Sequence, residues 1–341
     1  MTQDREGQQE VGAQRATLKQ IADAAGVSRS TVSLVLRDSP LVARATRVRV
    51  QEAMAAAAYV YNRGAARLRT GVSQTVGLIV SEITNPFYAE LTAGIDAALD
   101  RAGWLAFLAN SGDQAERQDR FIRRIREQGA DGIILGPAEG TPRDLPEQLR
   151  RSRFPCVQVL RQVGDGACDY VGPDYALGMT LAVEHLIGRG HRRIGYLRSP
   201  RQTSATRDRL AGFTATLARH GLPPGPVVSC AHSRAQAASV VTDLMQHPAR
   251  PTALVCHNDV MALGVLAGLA RLCLKPGADM AVVGFDNIAE ATTSVPPLTT
   301  IATRPTEVGA EAADLLLRRI ADRSGSPERI VLPPRLVVRE T

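Results

Sequence analysis

Ten Lys or Arg residues and three acids lie between Arg15 and Gln74, and this excess of +7 equals the formal net charge of the whole 341-residue chain. Everything outside the segment therefore balances to zero. Cationic side chains packed this densely neutralise phosphates and release their counterions. A short basic module on a neutral body is the electrostatic footprint of a nucleic-acid-binding head.

Other chemistries find little support. Cys156, Cys168, Cys230, Cys256 and Cys273 are odd in number, widely spaced and never in a C-x-x-C pair, which argues against a disulfide framework and a thiolate metal site. They read as reduced, mostly buried small apolar residues. The six His are scattered without H-E-x-x-H or helical metal spacing, and there is no G-x-S-x-G and no P-loop. With no nucleophile, metal cluster or phosphate loop, neither an enzyme nor a cofactor is expected. Apolar residues at 44% and charged residues at 22% suit a globular chain. No stretch approaches the roughly 20 apolar residues of a membrane span, and the N-terminus lacks a signal-peptide layout, so a cytoplasmic protein is expected.

The elements that position the basic module follow from local signals. Residues 1–15 are polar and without periodicity, a disordered tail by composition. Thr17 offers an N-cap for a helix over 18–25 with Ile21 and Ala22 inward, and Gly26 ends it. A second helix near 29–37 carries Val32, Val35 and Leu36 on one face. Two short helices across a Gly turn make a helix-turn-helix signal. A third helix is expected over 44–58 with Val48 and Met54 inward. Asn62 can cap the run 63–69, too short to be stable alone, and 70–74 reads as linker. From Thr75 onward short apolar strands, at 76–80, 105–109, 132–135, 156–160, 194–197, 253–256 and 281–285, alternate with amphipathic stretches. That pattern is a parallel sheet with crossover helices, and about seven strands suggest two Rossmann-like lobes.

The run from Thr17 through Ile21-Ala22, Ala25-Gly26-Val27-Ser28-Arg29-Ser30-Thr31-Val32-Ser33, with the hinge Tyr61-Asn62-Arg63-Gly64-Ala65-Ala66-Arg67-Leu68-Arg69, resembles the head of lac-repressor-family regulators. Asn85-Pro86-Phe87, Arg209-Leu210-Ala211-Gly212-Phe213, Asn258-Asp259, Val283-Gly284-Phe285-Asp286 and Pro297-Leu298-Thr299-Thr300 extend the resemblance to about residues 16–341. It implies a helix-turn-helix DNA-binding domain at 16–61, a hinge helix and linker at 62–74, and an effector-binding and dimerisation core at 75–341. The core would have the periplasmic-binding-protein-like type I fold, with an N-lobe at about 75–172 and 302–325 and a C-lobe at about 173–301 and 326–341. It also implies a transcriptional regulator, a repressor, working as a homodimer on a pseudo-palindromic double-stranded operator. No Leu heptad follows Pro334-Arg335-Leu336, so a tetramerising coiled coil is not expected. A transport-type sugar-binding protein shares the two-lobed core, and the basic head argues against it.

By the same resemblance, Arg29, Ser30 and Leu34 face base edges, Ser28, Thr31 and Ser33 donate to phosphates, and Thr17 contacts DNA from the first helix. Asn62, Arg63, Ala65, Arg67 and Leu68 would engage the minor groove, Leu68 as a wedge, the alternative being a Leu packed on the core. Leu34, Ala43 and Tyr61 depart from the family pattern, so the operator sequence does not carry over. Asn85, Phe87, Asp174, Arg209, Asn258 and Asp286 would hold a hydroxyl-rich effector, a sugar or related polyol, in the crevice at the strand ends. Their alternative roles are a salt bridge between Arg209 and Asp286, helix caps, a turn at Asn85-Pro86, and core packing for Phe87.

Overall fold

Thr17 opens α1 (Leu18–Ala25) with a reciprocal capping box: its hydroxyl accepts from the Gln20 N–H at 3.3 Å, and Gln20 Oε1 accepts from the Thr17 N–H at 2.7 Å. Gly26 closes the helix at φ +63°, a conformation that residues with a Cβ adopt at a cost. α2 (Arg29–Leu36) and α3 (Arg44–Ala56) follow. The chain is described by a computed structural model at residues 16–36, 38–59, 71–164, 166–246 and 250–341. It divides into two units, Met1–Ser73 and Gln74–Thr341.

Ile21, Val32 and Val50 are fully buried at the centre of the head, with Ala22, Ala25, Val35 and Val42 around them. Val48, expected inward, is 44% exposed. Residues two apart on a helix point about 200° apart, so only one of Val48 and Val50 can face the other helices, and Val50 does. Ala43 gives α3 no side-chain cap. Instead Arg47 donates to the Ser39 carbonyl at 2.8 Å and pairs with Asp38, tying the preceding turn to the helix.

The core unit holds two six-stranded sheets. The first has the order β11-β5-β4-β3-β1-β2 and is all parallel. Its strands are β1 (Thr75–Val80), β2 (Leu105–Asn110), β3 (Gly132–Leu135), β4 (Cys156–Val159), β5 (Asp169–Pro173) and β11 (Arg329–Leu332). The second has the order β12-β10-β9-β8-β6-β7. It contains β6 (Ile194–Arg198), β7 (Val227–Ser229), β8 (Ala253–Cys256), β9 (Ala281–Asp286), β10 (Thr299–Ala302) and the antiparallel edge β12 (Arg335–Val337). The near-continuous apolar runs of β1, β3, β4, β8 and β9 match sheets covered on both faces. In the first lobe α4 (Pro86–Arg101) lies against α12 (Pro305–Ala321). A Cβ added at Gly94 would stand 2.1 Å from the Thr306 carbonyl, so this close helix contact requires glycine there.

The seven expected strands are present, and five more were not anticipated: β5, β7, β10, β11 and β12. Three to five residues long, they fall below what period-two patterning can register. β11 corrects the lobe assignment. Residues 326–341 were expected in the C-lobe as a block, but Arg329–Leu332 pairs with β5 in the first sheet, and the last crossing between lobes follows Leu332. Cys156, Cys230 and Cys256 are buried as expected, whereas Cys168 is half-buried and Cys273 exposed.

Candidate functional site

On the head, Arg29 and Ser30 stand exposed in the first turn of α2. Ser28 Oγ lies 2.6 Å from Ser30 Oγ and 2.9 Å from Thr31 Oγ1 and accepts from the Thr31 N–H at 3.1 Å. Hydroxyls and free N–H groups thus gather at a helix N-terminus, where the peptide dipoles favour an anion. Thr17 is exposed too, with its hydroxyl committed to the α1 cap. Ser33 is 8% exposed on the inward side of α2, and Leu34 is half-buried against the head's apolar cluster. Asn62, Arg63, Ala65, Arg67 and Leu68 lie outside the described residues.

Within the core, loops at the carboxyl ends of both sheets converge on a buried cleft. Arg209, from α8 (Ser204–Arg219), is its centre. The guanidinium carbon stands 4.0 Å from the Tyr175 ring centroid and 4.3 Å from that of Phe285, so the cation is clasped between two aromatic rings, an attraction strengthened by desolvation. Asp286 Oδ1 lies 4.0 Å from Arg209 Nη2, close enough for charge attraction and too far for a hydrogen bond. Arg209 Nε has no partner among the described residues although it is buried. Burial pushes the Asp286 carboxyl well above its ordinary range while Arg209 pulls it back. Burial, then the charge of Arg209, hold His257 well below the usual imidazole range, and so neutral.

Four of the six expected effector residues border this cleft together with Arg209: Asn85, Phe87, Asn258 and Asp286 complete the set of five. Asn85 caps α4, accepting from the Phe87 N–H at 3.1 Å, and Asn258 caps α10 (Asp259–Arg271), accepting from the Met261 N–H at 3.0 Å. Each side chain thereby fixes a helix start at the cleft wall. Asp174 is not brought there. It caps α7 (Tyr175–Gly188), accepting from the Leu177 N–H at 2.9 Å, and the next residue, Tyr175, supplies the ring over Arg209. The sequence reading missed Tyr88, Arg161, Tyr175, Thr203, His232 and His257, all of which line the cleft. His232 and His257 stack with centroids 5.2 Å apart, and Tyr196 Oη lies 3.2 Å from His257 Nδ1.

The two lobes meet through charged contacts around this cleft. Asp113 accepts from Arg161 at 2.6 Å within its own lobe and pairs with Arg201 of the second lobe at 2.9 Å. His232 Nδ1 of the second lobe is 3.1 Å from Glu82 of the first. The Gln202 N–H donates to Glu139 at 2.6 Å, and the Gln162 N–H to Ser204 Oγ at 2.9 Å. Closed in this way, the pocket around Arg209 measures about 40 Å³, while a second pocket beside Glu82, Asp113 and Arg201, which shares His232 with it, measures about 470 Å³. On the same measure one water needs roughly 10–15 Å³, so the inner pocket admits only a few atoms unless the lobes part.

The family model for bacterial regulatory proteins of the lacI family matches residues 17–62, and that for the periplasmic binding protein-like domain matches residues 183–341. The maltose regulon regulatory protein MalI of Escherichia coli K12 is 34% identical over 336 residues, covering 95% of this chain and 98% of its own. A lac repressor dimer bound to operator and the anti-inducer ONPF superposes with a TM-score of 0.86 at 27% identity, covering 96% of this chain and 99% of its own. The transcriptional regulator CelR in complex with cellobiose gives a TM-score of 0.72 at 31% identity, covering 96% and 99%.

Proposed function

The chain belongs to the lacI family of bacterial regulatory proteins, DNA-binding transcriptional repressors with an effector-binding core, and from that premise we propose that a sugar or related polyol in the core cleft controls binding of a pseudo-palindromic operator by the head. The observation that carries the effector class is Arg209: a buried cation with an unpartnered Nε, clasped by two aromatic rings and facing a buried carboxyl. Vicinal hydroxyls would satisfy both groups in bidentate fashion while Phe87, on the cleft wall, covers the apolar face of a sugar ring. Asn85, Phe87, Asn258, Tyr175 and His257 complete this reading of the site, and Asp174 acts through Tyr175 by capping its helix.

The reading takes residues 16–61 as the DNA-binding domain, 62–74 as hinge and linker and 75–341 as the core, in a cytoplasmic homodimer. A second copy is supported by geometry. One short reading helix specifies few bases, so two heads match a two-fold operator. The edge strand β2 leaves Leu105, Phe107 and Leu108 at 45–53% exposure, and such apolar edges are commonly covered. Effector entry parts the lobes, repositions the two hinges and so forms or melts the 63–69 helix, with Leu68 as the minor-groove wedge. A thermal-shift screen of sugars, sugar acids, polyols and purines tests the effector class, since a ligand at 100 times its dissociation constant adds about 2.7 kcal/mol. A screen in which purines alone raise the melting temperature would overturn the polyol reading. Leu68→Ala should weaken operator binding and spare random duplex; equal loss on both would remove the wedge.

A further inference from the structure

Away from the cleft, the first lobe brings two thiols together at the start of adjacent strands. Val157 of β4 stands opposite Asp169 of β5 in parallel register, so the preceding residues, Cys156 and Cys168, are also opposite each other and on one side of the sheet. Neighbouring strands lie about 4.8 Å apart, and a disulfide needs its Cα atoms roughly 4.4–6.8 Å apart. Both cysteines border one cavity of about 70 Å³, rimmed by Arg150, Arg153, Arg319 and Arg323 with Asp169 as the carboxylate among its lining residues. Asp169 is engaged by Arg319 through two hydrogen bonds of 2.8 and 2.9 Å, and Arg150 by Glu147 at 2.7 Å. Cys168 is half-buried at the cavity wall, its Sγ 3.5 Å from the Pro146 carbonyl, while Cys156 lies beneath it at 5% exposure.

We propose that Cys156 and Cys168 form a peroxide-sensitive dithiol site, open as two thiols at rest and closed reversibly to a disulfide beneath the arginine-rimmed cavity. The accessible Cys168 reacts first: its thiolate sulfur attacks one oxygen of hydrogen peroxide, the O–O bond breaks, and hydroxide leaves with the proton shed by the thiol, giving water and a sulfenic acid. Guanidinium N–H donors at the rim are placed to stabilise the charge developing on the leaving oxygen. The Cys156 sulfur then attacks that of Cys168, the S–O bond breaks, and the second hydroxide takes the Cys156 proton as water. Two thiols have lost two electrons and one peroxide has become two waters. The Cys156 thiol is pushed well above its ordinary range, first by its hydrogen bond with Cys168 and then by burial, which leaves the first reaction with peroxide to Cys168. The bridge would pin the base of the segment that carries Arg161 and Gln162 to the cleft.

The test uses the reduced full-length protein treated with hydrogen peroxide, alkylated, digested without reductant and mapped by mass spectrometry. The expected result is a cross-linked peptide joining Cys156 to Cys168, lighter by two hydrogens than the separate peptides and released by dithiothreitol. In Cys156→Ser, a dimedone adduct should accumulate on Cys168. Wild-type protein in which both residues remain alkylatable after peroxide, or in which Cys168 advances to sulfinate without a cross-link, would overturn the proposal. In Cys156→Ser, a dimedone adduct confined to Cys273, the exposed thiol, would overturn it as well.

Discussion

The head and the core handle polar groups in opposite ways. In the head, the charged side chains of the described residues and the hydroxyls of Thr17, Ser28, Ser30 and Thr31 lie outside a core of seven buried apolar residues, and these hydroxyls bond to one another or to caps. In the cleft, Arg209 Nε and His232 Nε2 are buried without a partner among the described residues, beside the buried carboxyl of Asp286. A surface of fixed positive charge suits a polyanion of fixed negative charge, with strength set by salt. A buried, incompletely satisfied cluster suits a small neutral polar molecule that brings the missing bonds, because an unmet buried polar group costs about 1–3 kcal/mol. The first device can remain always on. The second changes state when its ligand arrives, and so makes the better switch.

Substitutions can break this contrast, and the largest effect belongs to the cleft. Arg209→Ala should lower effector affinity by about 100-fold while operator binding is retained; an unchanged effector titration by calorimetry would take Arg209 out of the site. Next is Asp259, whose buried carboxyl accepts from Thr300 and from the Ile288 N–H and whose pKa burial pushes up to about 7. Because the folded value exceeds the ordinary one, its stabilisation is full below about pH 4 and is lost as pH rises through about 7. Urea unfolding should therefore show wild type losing stability relative to Asp259→Asn between pH 5 and pH 8; parallel curves would contradict the assignment. In the head, Arg29→Ala should cost about 1–3 kcal/mol on the operator and change base preference, visible as an altered consensus in selection from random duplexes. Smallest is Ala43→Ser, which supplies the missing α3 cap and should stabilise the head by about 1 kcal/mol in thermal melts.

Legibility in the sequence followed the range of the interactions. Thr17, Gly26 and the Val32 face announce the first two helices because caps and periodicity act within a few residues. Val48 was misplaced because it and Val50 offer α3 two rival apolar faces, and packing against α1 decides between them. Asp174 carries an ambiguous signal, since an Asp before a helix is at once a cap and a carboxylate near a crevice; the cap won. Arg161, His232 and His257 come from separate loops of two lobes, and nothing local marks them as neighbours. β11 escaped because four residues at a sheet edge carry too little pattern, and its misplacement moved a lobe boundary.

The central claim is that ligand binding in the core changes operator affinity in the head, and linkage makes it measurable from either side. The measurement is operator affinity of the full chain, at fixed salt, with and without a polyol that raises its melting temperature, alongside the affinity for that polyol with and without operator. The account predicts that both affinities change by the same factor and that Arg209→Ala removes the change. A polyol that binds tightly yet leaves the operator affinity of the wild-type protein unaltered would contradict it.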